Sequence, residues 1–157
     1  MMHSSSNESA RSPRLTPKGD SVVYLSGIVG GPHAGCARLD EFSIVTGKSR
    51  VIVPIINIPG DDKFPGLYVK EVVRKCWVMG SEGACLILSS SWGFQTVILT
   101  INLKSGSITN LTLEGLSSWN FLGATSNGWL ISSRSSPTEF QSIVCHDLTQ
   151  DGLQAAR

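Results

Sequence analysis

Charge is scarce in this chain. Only 16% of the residues are Asp, Glu, Lys or Arg, and thirteen cations stand against twelve anions. A nucleic-acid binder needs a basic stripe and an anionic membrane attracts a basic excess, so both partner classes are excluded from the reading. Cysteine is sparse too. The four, Cys36, Cys76, Cys85 and Cys145, form no close pair and no metal-ligand spacing. No apolar run approaches the roughly 20 residues of a membrane span. The longest, Val51 to Ile58 and Val97 to Leu103, are broken by Pro54, Asn57, Thr100 and Asn102. No apolar stretch follows Met1, so no secretory signal is expected. The expectation is a cytoplasmic protein whose cysteines are reduced thiols rather than a disulfide framework.

Helical periodicity is also missing. The best window, Gly66 to Val78, could place Val69, Val72, Val73 and Cys76 on one face, but it is short and β-branched and reads as strand or loop. What the chain does have is a core's worth of apolar residues, 41% of 157, with 16 Gly and 23 Ser. Residues 1–14 form a polar, Ser-rich leader, expected to be disordered because it cannot bury surface. Residues 15–148 read as β-propeller blades, and 149–157 as a tail.

Two units recur between 15 and 148. The first is an apolar anchor, a short polar spacer, a Gly turn and a β-rich run. It occurs as Leu15-Thr-Pro-Lys-Gly-Asp-Ser-Val-Val-Tyr-Leu25, as Cys76-Trp-Val-Met-Gly-Ser-Glu-Gly-Ala-Cys-Leu-Ile-Leu88, and from Trp119 through Gly128 to Ile131. The second is a hairpin turning at Thr46-Gly47-Lys48 and again at Lys104-Ser105-Gly106; a third copy should follow His146-Asp147-Leu148. Periods of about 40–50 residues in an all-β chain indicate propeller blades of four strands. The fold class is therefore all-β, a partial β-propeller of about three four-stranded blades. A β-sandwich with ordinary hairpins is the competing fold. The apolar runs Val51–Ile56 and 96–103 are the candidate open edges. Pro54 guards the first, and nothing guards the second unless a neighbouring strand covers it.

These units, taken with several longer stretches, resemble the propeller of prolyl-oligopeptidase-family serine peptidases, and within that family are similar to acylaminoacyl-peptidase, the acylamino-acid-releasing enzyme. The stretches are Pro32-His33 with Cys36, Phe64-Pro-Gly-Leu-Tyr68 followed by Cys76-Trp77, Leu86-Ile-Leu-Ser-Ser90, Gly106-Ser-Ile-Thr-Asn-Leu-Thr112 and Ser118-Trp119. The resemblance covers about residues 15 to 148. It implies a part of an enzyme that releases N-acylated amino acids from blocked peptides, in which the propeller gates access to an α/β-hydrolase domain. It implies as partners that hydrolase domain or the remaining blades, and N-acylated peptides through the full enzyme, with a homo-oligomer as a further partner. Nothing here corresponds to the hydrolase domain. No Gly-x-Ser-x-Gly elbow occurs, so no catalytic residue is carried over and the chain alone is expected to be inactive. A non-enzymatic interaction module is the alternative.

The residues that imitate chemistry have plainer readings, and no catalytic, cofactor-binding or metal residue is assigned. His33 lies three residues from Cys36 but lacks a further ligand pair, and reads as a loop residue. Cys145-His146-Asp147 imitates nucleophile, base and orienter, yet neighbours on a strand point to opposite faces. Alternation with Ile143 predicts a buried Cys145. Gly47-Lys48-Ser49 imitates the end of a phosphate loop, but Phe42 stands where the earlier glycine is required and no helix follows. Asp61-Asp62 reads as a solvated loop rather than a pair across a cleft. Trp77 and Trp119 occupy the anchor slot of the repeat and should pack in the blade core; Trp92 in Ser91-Trp-Gly-Phe94 is the candidate for an exposed contact. No cofactor or metal is expected.

Overall fold

The computed structural model describes residues 7–32, 35–61, 63–80, 82–112, 115–125 and 127–148. Among these residues, eleven strands build three antiparallel sheets, each a simple meander in chain order. The first sheet is β1 (Glu8–Leu15), β2 (Ser21–Ile28), β3 (Arg38–Ser43) and β4 (Ser49–Val53). The second is β5 (Trp77–Gly80), β6 (Gly83–Trp92), β7 (Gln95–Asn102) and β8 (Ile108–Asn110). The third is β9 (Ser118–Ala124), β10 (Trp129–Ser136) and β11 (Glu139–Asp147). The fold is a partial β-propeller, and each sheet is a blade. Among the described residues no helix is long and apolar enough to cross a membrane.

The two sequence repeats are the two hairpin types of a blade. The anchor-turn-strand unit is the β1–β2, β5–β6 and β9–β10 hairpin. In the first, Gly19 N–H donates to Thr16 C=O at 2.9 Å with Gly19 at φ +74°, and the Thr16 hydroxyl accepts from Ser21 N–H at 3.2 Å. In the third, Gly128 N–H donates to Thr125 C=O and the Thr125 hydroxyl accepts from Trp129 N–H, both at 3.1 Å. The second repeat closes the β3–β4 and β7–β8 hairpins with one bonding pattern. Gly47 N–H donates to Ser43 C=O and Ser43 N–H to Lys48 C=O; Gly106 N–H donates to Asn102 C=O and Asn102 N–H to Ser107 C=O. Gly47 and Gly106 have φ of +68° and +74°, which glycine adopts without a Cβ clash.

Several expectations change. The leader predicted to be disordered over 1–14 is not so from Glu8 onward: β1 pairs with β2 along Glu8↔Ile28 to Leu15↔Val22. Composition missed it because β1 is held through its backbone and its arginines rather than by apolar burial. Arg11 donates to Val69 C=O at 2.7 Å and Lys70 C=O at 2.8 Å, and Arg14 to Val72 C=O. The segment 66–76 is loop, bridged at Leu67 to Ala37, the residue before β3. The run 96–103 is not an open edge, because β7 pairs with β6 along its whole length and with β8 through Leu99–Ile101. The third sheet has three strands among the described residues. The hairpin expected after Leu148, and the tail 149–157, lie outside them.

The chain divides into two compact units, Met1–Val72 and Val73–Arg157. The first holds the first sheet, with Val23, Leu25, Leu39, Leu67 and Val72 at its centre. In the second, Leu86, Ile87 and Leu88 of β6 and Ile98, Leu99, Thr100 and Ile101 of β7 are buried without alternation, so both faces of that sheet are covered. β9 lies against it there. Phe121 N–H donates to the Ser89 hydroxyl at 2.7 Å, and Thr96 N–H to the Ser118 hydroxyl at 3.3 Å.

Candidate functional site

Nucleophile and base do not meet where the sequence imitates them. Cys145 stands opposite Ile131 and His146 opposite Leu130, so the two lie on opposite faces of the third sheet. The His146 ring packs on Trp119 with centroids 5.8 Å apart. Arg134 lies over the same indole at 5.7 Å and pairs with Glu139 at 2.6 Å. The indole is contacted by an imidazole from β11 and a guanidinium from β10, a packing arrangement that holds β9, β10 and β11 together. Cys145 itself is exposed, contrary to its predicted burial. The alternation with Ile143 is real, but the face they share is open and Ile143 is exposed as well.

The other candidates separate. His33 and Asp62 lie outside the described residues. Asp61 is exposed in its loop. Gly47-Lys48-Ser49 is the hairpin turn described above. Cys76 and Cys85 are buried, Cys36 is half-buried, and none of the four cysteines is in a disulfide. Burial pushes the Cys85 thiol above its ordinary value, which keeps it protonated and non-nucleophilic at neutral pH. Among the described residues no group of three His, Cys, Asp or Glu side chains comes together to hold a metal ion. Trp119 is buried as an anchor should be, whereas Trp77 is half-buried. Trp92 stays in the ladder, opposite Gln95, and is half-buried. The exposed aromatic of that corner is Phe94, lifted out by the turn at Gly93 with φ +63°. With Leu116 and Pro137 it lines a cavity of about 280 Å³.

One polar cluster was not singled out from sequence. Asp40 is buried on β3, accepting from the Ser26 hydroxyl and from Arg38 Nε at 2.9 Å. Arg38 also makes a forked pair with Glu8, at 3.1 and 3.0 Å. The Asp40 carboxylate, and after it Glu8, raise the Arg38 guanidinium above its usual value against the opposing effect of partial burial. The readable signal was a charge, Asp40, directly beside Leu39 in a strand. Beside this cluster lies a cavity of about 580 Å³, bordered by Arg11, Ser26, Ile28, Cys36 and Ile55. Arg11 at its rim is already committed to two backbone carbonyls. The arrangement ties three strands together and presents no reacting group.

Residues 1–156 match the family described as acylamino-acid-releasing enzyme, N-terminal domain. The chain is 30% identical over 159 residues to acylamino-acid-releasing enzyme 1 of Oryza sativa subsp. japonica, covering 92% of this chain and 20% of that protein. It is 33% identical over 142 residues to the Arabidopsis thaliana acylamino-acid-releasing enzyme, covering 83% and 18%. It is 30% identical over 112 residues to the Rattus norvegicus enzyme, covering 71% and 15%. The chain thus spans about a fifth or less of the length of these relatives. TolB from Acinetobacter baumannii shares the fold, with a TM-score of 0.57 at 16% identity over 89% of this chain and 30% of that one. Blade-type meanders, both hairpin repeats and a family match over nearly every residue place this chain in the N-terminal domain family of acylamino-acid-releasing enzymes.

Proposed function

We propose that this chain is the non-catalytic propeller portion of an acylaminoacyl-peptidase-like serine peptidase, and that it gates the access of N-acylated peptides to a hydrolase domain. The observation that carries the reading is the match of residues 1–156 to the N-terminal domain alone, in a chain without a Gly-x-Ser-x-Gly elbow. Its partners are the hydrolase domain and the remaining blades, and it works in the cytoplasm, a reading supported by four cysteines outside any disulfide. It neither binds nucleic acid nor enters a membrane. Hydrolysis of the acyl-amino-acid bond belongs to the partner domain. The blades select by size.

Two measurements test this. The purified chain should leave N-acetylated amino-acid anilides uncleaved and take no fluorophosphonate label; stoichiometric labelling of any serine overturns the non-catalytic assignment. For gating, the chain replaces its matching segment in the full-length Arabidopsis relative. The chimaera should cleave short N-acetylated peptides and reject long ones. Equal cleavage of long, folded substrates by the chimaera and the parent's isolated hydrolase domain counts against a gate. A second reading, an interaction module without enzymatic context, is favoured by the exposed Phe94 and Leu116, and predicts a chimaera that folds but has lost activity on all peptides.

A further inference from the structure

Asparagine carries its own electrophile. Its side-chain carbonyl carbon lies within reach of the next residue's backbone nitrogen, and attack there closes a cyclic imide and expels ammonia. A following glycine leaves that nitrogen unshielded, because it has no Cβ. The chain has six asparagines, and Asn127 is the one followed by glycine. The others precede Glu8, Ile58, Leu103, Leu111 and Phe121, whose side chains crowd the attacking nitrogen. Three of those nitrogens are also tied down: Leu103 N–H donates to Ala84 C=O, Leu111 N–H to Ile98 C=O and Phe121 N–H to the Ser89 hydroxyl.

Asn127 is exposed in the turn between β9 and β10, where Gly128 takes a φ of +88°. Thr125 organises that turn. Trp129 N–H donates to the Thr125 hydroxyl at 3.1 Å, and the hydroxyl donates onward to Asn127 Oδ1 at 2.5 Å. Two bonds in series draw electrons from the side-chain carbonyl carbon and stabilise the negative charge that builds on Oδ1 as the nitrogen adds. One contact opposes the attack. Gly128 N–H donates to Thr125 C=O, but at 3.1 Å this neutral bond lies at the long end of its range. The equivalent turn of the first repeat holds no such amide. Lys18 precedes Gly19 there, and the Thr16 hydroxyl donates to the Asp20 carboxylate at 3.0 Å.

We propose that Asn127 is a self-modifying site, primed by the Thr125 hydroxyl, whose amide is lost through a cyclic imide formed with the Gly128 nitrogen. In the addition, the bond from the Gly128 nitrogen to Asn127 Cγ forms and the Gly128 amide proton passes to solvent. The Cγ–Nδ2 bond then breaks, and Nδ2 takes up a proton and leaves as ammonia. Water opens the imide at either carbonyl. Opening at Cγ gives aspartate, and opening at the main-chain carbonyl gives isoaspartate, in which the backbone runs through Cβ and Cγ. Water is the only co-reactant, and nothing is oxidised or reduced. Aspartate keeps an acceptor for the Thr125 hydroxyl. Isoaspartate lengthens the turn by one backbone carbon and shifts Gly128 against Thr125, so the β9–β10 hairpin loosens as the molecule ages. Thr125 is a positioning residue in this step.

The test uses the full 157-residue chain, folded and held in mildly alkaline buffer made with heavy-oxygen water. Peptide mass spectrometry should show heavy-oxygen acid appearing at Asn127 at least tenfold faster than at any other asparagine. Electron-transfer fragmentation should identify isoaspartate in the product, and an isoaspartyl methyltransferase should label it. Asn127→Gln should abolish both signals at this turn. Thr125→Val removes the hydroxyl and should slow the loss at least threefold, whereas Thr125→Ser restores it and should keep the wild-type rate. If Thr125→Val fails to fold, the wild-type rates and the Asn127→Gln control still decide. An Asn127 that stays intact, or converts no faster than the other asparagines, overturns the proposal. So does acid without any isoaspartate, which would mean direct hydrolysis rather than an imide, or an equal rate in folded Thr125→Val, which would leave Thr125 no part in the step.

Discussion

Gly66 shows how one residue fixes a loop. Its φ of +104° suits only glycine, and a Cβ there would meet Cys36 Sγ at 2.4 Å and Ile56 Cβ at 3.2 Å. Gly66→Ala should destabilise the chain by about 2 kcal/mol, from strain and overpacking together. Gly27→Ala, at an ordinary φ with open space, should leave the denaturation midpoint nearly unchanged. Cysteine accessibility is the second residue-scale outcome. Cys145 should react first with a thiol reagent, Cys36 next, and Cys76 and Cys85 only on unfolding, as read by mass spectrometry. Cys85 also sets a pH dependence. Burial raises its folded pKa above the ordinary thiol value of 9.0. Its stabilising contribution is then complete below about pH 9 and is lost as pH rises toward the folded pKa, because the unfolded thiol ionises first. The slope of unfolding free energy between pH 8 and 10.5 should therefore be steeper in the wild type than in Cys85→Ala, measured by urea titration. Equal slopes would contradict this.

At the scale of the strand, β7 takes the opposite of the role its sequence suggests. The apolar run Val97-Ile-Leu-Thr-Ile101 reads as a sticky edge, yet it lies between β6 and β8 with both faces covered. Hydrophobicity marks a strand as buried on two faces, but it does not say which strand will have two neighbours. Ile98 decides the matter experimentally. It is buried, so Ile98→Lys places an unpaired charge in the sheet interior and should cost about 4 kcal/mol or more, enough to unfold that blade. Improved solubility with an intact melt would return β7 to an exposed position.

At the scale of the molecule, local chemistry sets the hairpins and long-range pairing sets what surrounds them. The sequence by itself determined the all-β class, the two hairpin types and the family. Each is written in local chemistry: glycines at Gly19, Gly47, Gly106 and Gly128 where φ must be positive, threonine or asparagine closing the turn, and β-rich runs between. It also determined that Cys145 and His146 face apart, since strand alternation is local. Only the tertiary structure decided what those faces meet. β1 escaped a compositional reading because its arginines bond carbonyls some 58 residues away in sequence. Cys145 was misjudged because burial depends on whether another sheet covers the face. The Glu8–Arg38–Asp40–Ser26 cluster joins three strands whose pairing brings together residues up to 32 positions apart, a register that no single stretch of sequence contains.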